Sequence, residues 1–283
     1  MPVLRSVLYM PSANERALEK AKSLPADAII FDLEDAVAPD AKEAARASAS
    51  SAVKSGAYGH RVLTIRCNGL HTPWGEADVV AAAAAAPAAV VIPKVSTVEE
   101  ISAVASILDA NNAPATTGIW AMVETPLGVL NAHSLAQHPR CTGFVIGTND
   151  LAKELHAPLV AGRANLVPHL AHALLAGRAA GIVVLDGVFN NIKDTEGFES
   201  ECRQGFEMGF DGKTLIHPSQ IEFCNLTWSP SEIEVNFAKK VIFAFSQAST
   251  HGQGVLTVDG RMIENLHVEN AKRTLALHDA IRQ

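Results

Sequence analysis

Eight short apolar runs punctuate the chain, and each stops at a polar or charged residue. They are SVLYMPS at Ser12, AIIFD at Asp32, VLTIR at Arg66, VVIPK at Lys94, IWAMVE at Glu124, FVIGTND at Asp150, IVVLD at Asp186 and TLIH at His217. Runs of β-branched and aliphatic residues separated by helix-length amphipathic stretches read as strands buried on both faces of a parallel sheet. Eight such units predict an α/β fold, a (β/α)8 TIM barrel, whose active site is built from residues at the C-terminal ends of the strands. The spacing therefore gives a fold and a short roll of chemical candidates together.

Helical patterns fill the intervals. Residues 13–23 follow Ser12, a candidate N-cap; residues 40–55 are rich in alanine and lysine; residues 97–109 open with a T-V-E-E capping box. Residues 166–180 end at Gly181, a candidate C-cap, and residues 198–208 form the last helix before the eighth strand. The alanine run 81–86 reads as part of a surface helix. After Pro230 the character changes to a helix over 231–249, a glycine-bearing stretch, and a helix over 264–281. The expected domains are a catalytic barrel over 1–228 and a C-terminal helical extension or lid over 229–283. Gly252-Gln-Gly254 is no dinucleotide fingerprint, because no strand leads into it and no helix follows.

The chain's 283 residues suit one barrel of roughly 250 residues plus an extension. A net charge of −7 without a basic run argues against a nucleic-acid surface but leaves small anions open, through a local patch. Four scattered cysteines without a C-x-x-C pair fit reduced, buried thiols better than disulfides or a zinc site. The opening MPVLRSVLYMPS lacks the pattern of a signal peptide, and the most apolar later window contains Pro87 and is too short to span a bilayer. A cytoplasmic protein is expected.

Glu124 and Asp150 close consecutive predicted strands, which in a barrel lie ~4.8 Å apart. Two carboxylates that close can share one hard cation, and an oxygen-only site with open positions suits Mg²⁺. Taken singly, each acid reads equally well as a cap or a salt-bridge partner. The cluster Asp32, Glu34, Asp35 is too acidic to bury without a balancing cation. Its acids can accept hydrogen bonds from metal-bound water, while Asp35 reads as well as a solvent-facing group. Arg66 in a barrel mouth needs an anionic partner and can stabilise an oxyanion or hold a carboxylate. Lys94 can balance the acids; a Schiff-base role is the lesser reading, because acids would hold it charged. His217 reads mainly as a structural hydrogen-bonding residue, and no G-x-S-x-G elbow is present.

LYMPSANE, FDLEDAVAPDAKEAAR, TIRCNGL, IPKV, VETPLGVLN, GTNDLA, DGVFNNIKDTEGF and GFDGKTLIHPSQI, in this order, resemble the citrate lyase β-subunit-like group of the HpcH/HpaI aldolase superfamily. That group contains Mg²⁺-dependent CoA-thioester lyases acting on malyl-CoA and citramalyl-CoA. The resemblance implies a barrel with a C-terminal lid in a homotrimer or homohexamer, and a CoA thioester and a small 2-oxo acid as partners. It implies Glu124 and Asp150 as metal ligands and substrate contacts, and Arg66 as the group facing the thioester or enolate oxygen. Asp32 and Glu34 match the acids around the metal's waters, and Tyr9 and Lys20 the residues holding CoA. The family's lid carries an aspartate that moves a proton; here Gly260-Arg261-Met262-Ile263-Glu264 places Glu264 there, one methylene longer. The expected reaction is reversible carbon–carbon cleavage of a β-hydroxyacyl-CoA. The alternatives are hydrolysis of malyl-CoA, a citrate lyase β-subunit acting on a carrier-protein thioester, and a non-catalytic CoA or 2-oxo acid binder.

Overall fold

The computed structural model describes residues 2–249 and 255–282, so Gly252-Gln-Gly254 lies outside the described residues. Two compact units emerge, one from Leu4 to Thr227 and the other from Trp228 onward with the first few residues.

The first unit is a closed barrel of eight parallel strands in chain order. They are β1 (Ser6–Pro11), β2 (Ala28–Asp32), β3 (Val62–Arg66), β4 (Ala89–Ile92), β5 (Gly118–Val123), β6 (Cys141–Ile146), β7 (Val183–Asp186) and β8 (Gly212–Leu215). β8 pairs with β1 through Ser6 opposite Lys213 and closes the ring. It starts and stops earlier than the TLIH run, which leaves His217 beyond the strand. Side chains alternate along a strand, so every second residue faces the barrel interior. Val7, Ala28, Ile30, Ala89, Val91, Trp120, Met122, Val145, Val183 and Leu185 pack there as one apolar cluster, with Tyr9 and Val62 against it. Continuing the same alternation upward carries Asp32, Arg66 and Glu124 onto the inner face.

Helices cover the outside. The first, Glu15–Ala21, is capped by Asn14, whose side chain accepts from Ala17 N–H; Ser12 is buried and its N–H donates to the Asp32 carbonyl. The Thr97 capping box forms, and Gly181 closes Val167–Ala180 in the left-handed region. The alanine run lies in Gly75–Ala85 with Ala82, Ala83 and Ala85 buried, so small side chains let that helix sit close to its neighbours.

Two buried polar networks fix the upper loops. Lys42 donates to the carbonyls of Leu33 and Glu34 and to Asn68 Oδ1, at 2.7–2.8 Å. Asn68 in turn donates to Leu33 O and to Asp78, and Asp78 also takes Arg46. These bonds tie the acidic loop after β2 to the end of β3. On the other side, Lys213 Nζ lies 2.9 Å from Asp186 and 2.7 Å from Glu201, while Arg163 Nη1 lies 2.7 Å from Asp186. Two cations balance two anions, as buried charges require. Burial works to raise the Asp186 pKa, but Lys213 and Arg163 outweigh it and hold the carboxyl below its usual range.

The second unit consists of helix Glu232–Ser249, a hairpin of β9 (Leu256–Val258) and β10 (Arg261–Ile263), and helix Asn265–Ile281. Its hairpin turns at Asp259-Gly260, both at positive φ, the Asp-Gly chemistry of a tight two-residue connection. Ala238, Val241, Val258, Ile263, Val268 and Ala271 form its core.

Replacing Lys213 with methionine leaves Asp186 and Glu201 short of one cation and is expected to destabilise the fold by about 3–5 kcal/mol near neutral pH. A depressed carboxyl pKa gives stability that is present above the unfolded value of about 3.9 and lost as pH falls through the folded value. The gap between wild type and Lys213→Met should therefore narrow in acid. Urea unfolding of both proteins from about pH 7 down to pH 3 reads this directly; a gap independent of pH contradicts it.

Candidate active site

A cavity of about 360 Å³ opens at the C-terminal ends of the strands, and Tyr9, Asp32, Arg66, Glu124, Asp150 and Asn190 are among its walls. Asp32 and Arg66 are opposite one another in the β2–β3 register. Arg66 Nε and Nη2 each donate to one Asp32 oxygen at 2.7 Å, the two-pronged geometry that suits guanidinium and carboxylate. The same Asp32 oxygens accept the N–H groups of Glu34 and Ala36, so the carboxylate also shapes its own loop. Burial opposes the charge on Arg66, but its bonds to Asp32 outweigh that and keep it a cation. The guanidinium lies 4.8 Å from the centre of the Tyr9 ring, and burial pushes the Tyr9 phenol well above its ordinary range.

Glu34 comes 2.8 Å from Arg66 Nη1, while Asp35 stays largely exposed at 3.7 Å. Burial pushes the Glu34 pKa up; Arg66 works against that shift, and Asp35 adds to it. Asp35 thus takes the solvent-facing alternative.

Glu124 follows β5 and is almost fully buried. Asp150 is not in β6 but in the first turn of helix Thr148–Glu154. Gly147, just after β6, leaves room for the Glu124 side chain: a Cβ there would stand 2.0 Å from Glu124 Oε2. Glu124 Oε1 accepts the backbone N–H of Lys94 at 2.8 Å. Burial, with Asp150 and Glu34 adding to it, pushes the Glu124 pKa up to about 7 despite that bond. Lys94 Nζ lies 3.3 Å from Glu34 Oε1 and 3.9 Å from Asp150 Oδ1.

This donor set fits a hard divalent cation. Asp32, Glu34, Asp35, Glu124 and Asp150 carry more negative charge than Arg66 and Lys94 return, and Glu124 is desolvated without a full counter-charge. Among the described residues no cluster of three or more acids, histidines or cysteines forms a metal cage. Two carboxylates with the remaining positions left to water and substrate is the manner in which Mg²⁺ is held.

Of the sequence candidates, the structure brings Tyr9, Asp32, Glu34, Arg66, Glu124 and Asp150 to one place. Lys20 sits exposed in the last turn of Glu15–Ala21 and is not part of the cavity wall. Glu264 caps helix Asn265–Ile281 in the second unit, and its own N–H donates to His267 Nδ1. His217 caps the short turn Pro218–Gln220 and bonds Ser219 Oγ at 2.7 Å, a structural use. Asp186, a strand-end acid by sequence, belongs to the buried network with Lys213. Pattern reading overlooked Lys42, Asn68 and Gly147, which act through backbone carbonyls and close approach. Their signal was a lysine, an asparagine and a glycine inside the quoted motifs, without any periodicity to mark them.

Comparison with known proteins agrees with the motif resemblance. The family model described as HpcH/HpaI aldolase/citrate lyase matches residues 5–218. A (3S)-malyl-CoA thioesterase of Cereibacter sphaeroides is 52% identical over 277 residues, covering 98% of this chain and 95% of the relative. The citrate lyase subunit beta of Leuconostoc mesenteroides subsp. cremoris is 34% identical, covering 98% and 93%. Among solved structures, a Mycobacterium tuberculosis CitE protein in complex with magnesium, acetoacetate and coenzyme A superposes with a TM-score of 0.77 at 26% identity, covering 97% of each chain. A closed eight-stranded barrel, the acid-rich mouth and a match over most of its length place this chain in the HpcH/HpaI aldolase/citrate lyase family.

Proposed function

We propose that this chain is a Mg²⁺-dependent enzyme that hydrolyses the thioester of a malyl-type CoA. The observation that carries the substrate class is the convergence of Glu124 and Asp150 in one cavity with an arginine already fixed by Asp32. The first pair suits a cation that gathers the hydroxyl and carboxylate of a β-hydroxy acid. The arginine suits the thioester oxygen.

Glu124 and Asp150 would hold Mg²⁺, which would supply Lewis acidity to the substrate's oxygens. Of the five N–H groups of the Arg66 guanidinium, Asp32 takes two, Glu34 faces a third and Met122 Sδ a fourth, which leaves one on Nη2 for a substrate oxygen. Fixed by Asp32, Arg66 needs no reorientation as charge grows on that oxygen. Asp32 and Glu34 would orient water beside the cation. Tyr9 forms an apolar wall for the thioester arm, and the exposed Lys20 offers a cation to a CoA phosphate. Glu264, supplied by a neighbouring chain of a homotrimer or homohexamer, is the proton-transfer group.

Two cleavages share this machinery. Attack of water on the thioester carbon and cleavage of the carbon–carbon bond both push an electron pair onto the thioester oxygen that Arg66 faces. Hydrolysis is supported by the thioesterase named at 52% identity. It is also supported by Glu264 standing where an enolate-protonating lyase carries aspartate. The second reading, carbon–carbon lyase action giving acetyl-CoA and a 2-oxo acid, is supported by the family description and by the citrate lyase relatives.

Mass spectrometry of products from purified (3S)-malyl-CoA with Mg²⁺ decides between them. Free malate and CoA, abolished by chelator, are expected. Acetyl-CoA and glyoxylate in their place would establish the lyase, and an unchanged substrate would contradict both. Glu124→Gln removes one of the two anionic ligands and should lose metal dependence and nearly all turnover. Arg66→Lys, which cannot keep the two-pronged bond to Asp32, should lower kcat about 10²–10³-fold.

A further inference from the structure

Lys94 occupies an unusual position. It follows β4 at φ +53°, in the left-handed region that costs a side-chain-bearing residue about 1–2 kcal/mol. That turn aims its N–H at Glu124 Oε1, 2.8 Å away, and sends its ammonium 3.3 Å from Glu34 and 3.9 Å from Asp150. One residue therefore touches three carboxylates from three other segments: the loop after β2, the end of β5 and helix Thr148–Glu154. The backbone contact and the side-chain contacts have opposite consequences for a cation. The N–H orients Glu124 for binding. The ammonium puts a positive charge beside Asp150.

From this geometry we infer that Lys94 is a positioning residue that sets the affinity of the site for a divalent cation, its N–H presenting Glu124 while its ammonium competes for Asp150. The inference rests on the proposed reading of Glu124 and Asp150 as metal ligands. Like charges a few ångströms apart in a partly desolvated site repel strongly, so the ammonium must weaken cation binding. Its anchorage to Glu34 lets it give up Asp150 to a cation while it stays paired itself. In this arrangement the cation binds without being locked in, and Glu34 keeps the ammonium beside the site.

The two halves of the role separate by substitution. Lys94→Gly keeps the left-handed turn and the N–H to Glu124 but removes the ammonium; Lys94→Asn does the same with a residue that tolerates that region. Lys94→Arg keeps the charge. Isothermal titration of Mg²⁺ into each purified protein, at fixed pH and ionic strength and without substrate, reads affinity independently of turnover. Circular dichroism establishes that each is folded. The uncharged variants should bind Mg²⁺ about tenfold more tightly or better, and Lys94→Arg should stay near wild type. If wild type binds Mg²⁺ and the folded uncharged variants bind equally or more weakly, the competition is refuted while the metal site stands. If no form binds Mg²⁺, the metal reading itself fails and the competition falls with it.

Discussion

Too much negative charge in too little water governs the top of this barrel. Five acids reach the mouth, and one of them, Glu124, is buried enough that its pKa rises to about 7. The fold answers in part with Arg66, held by two 2.7 Å bonds to Asp32, and with Lys94 beside Glu34 and Asp150. The remainder is a standing demand for positive charge around Glu124. Gly147 is small so that Glu124 can sit there, and Lys94 is strained so that its N–H can reach Glu124. The network of Lys42, Asn68 and Asp78 keeps the acidic loop from springing outward.

Chemically similar residues at equivalent strand ends serve opposite ends in this molecule. Asp186 and Glu124 both stand at the top of a strand, and both are buried. Asp186 meets Lys213 and Arg163, which satisfy it and pull its pKa down; it is part of the scaffold. Glu124 meets one backbone N–H and the Lys94 charge, but burial and two further carboxylates outweigh them and raise its pKa. Burial alone does not mark a reactive acid. The identity of the charges around it does.

The fold was legible because parallel strands buried on both faces leave apolar runs that end abruptly, and the alternation within AIIFD and VLTIR carries Asp32 and Arg66 to the same inner face. Much of the candidate site was legible too, as polar residues closing those runs. Less was readable at turns. Asp150 lies in a helix rather than at a strand end, since the strand stops at Ile146 and Gly147 turns the chain. Asn14, not Ser12, caps the first helix, because Ser12 is still buried at the barrel wall. The stretch around Thr257 forms a hairpin that only its Asp-Gly turn announces. Lys42 and Lys94 act through contacts distant in sequence, which no local pattern encodes.

On the proposed reading, Glu124 and Asp150 jointly hold one divalent cation. A crystal structure of the protein grown with Mn²⁺ in place of Mg²⁺, with anomalous data collected at the manganese edge, shows whether they do. One peak per chain is expected in the cavity, within about 2.0–2.3 Å of an oxygen from each of the two side chains. A peak elsewhere, or no peak at saturating Mn²⁺, would leave the acidic mouth without its cation and the two acids without that role.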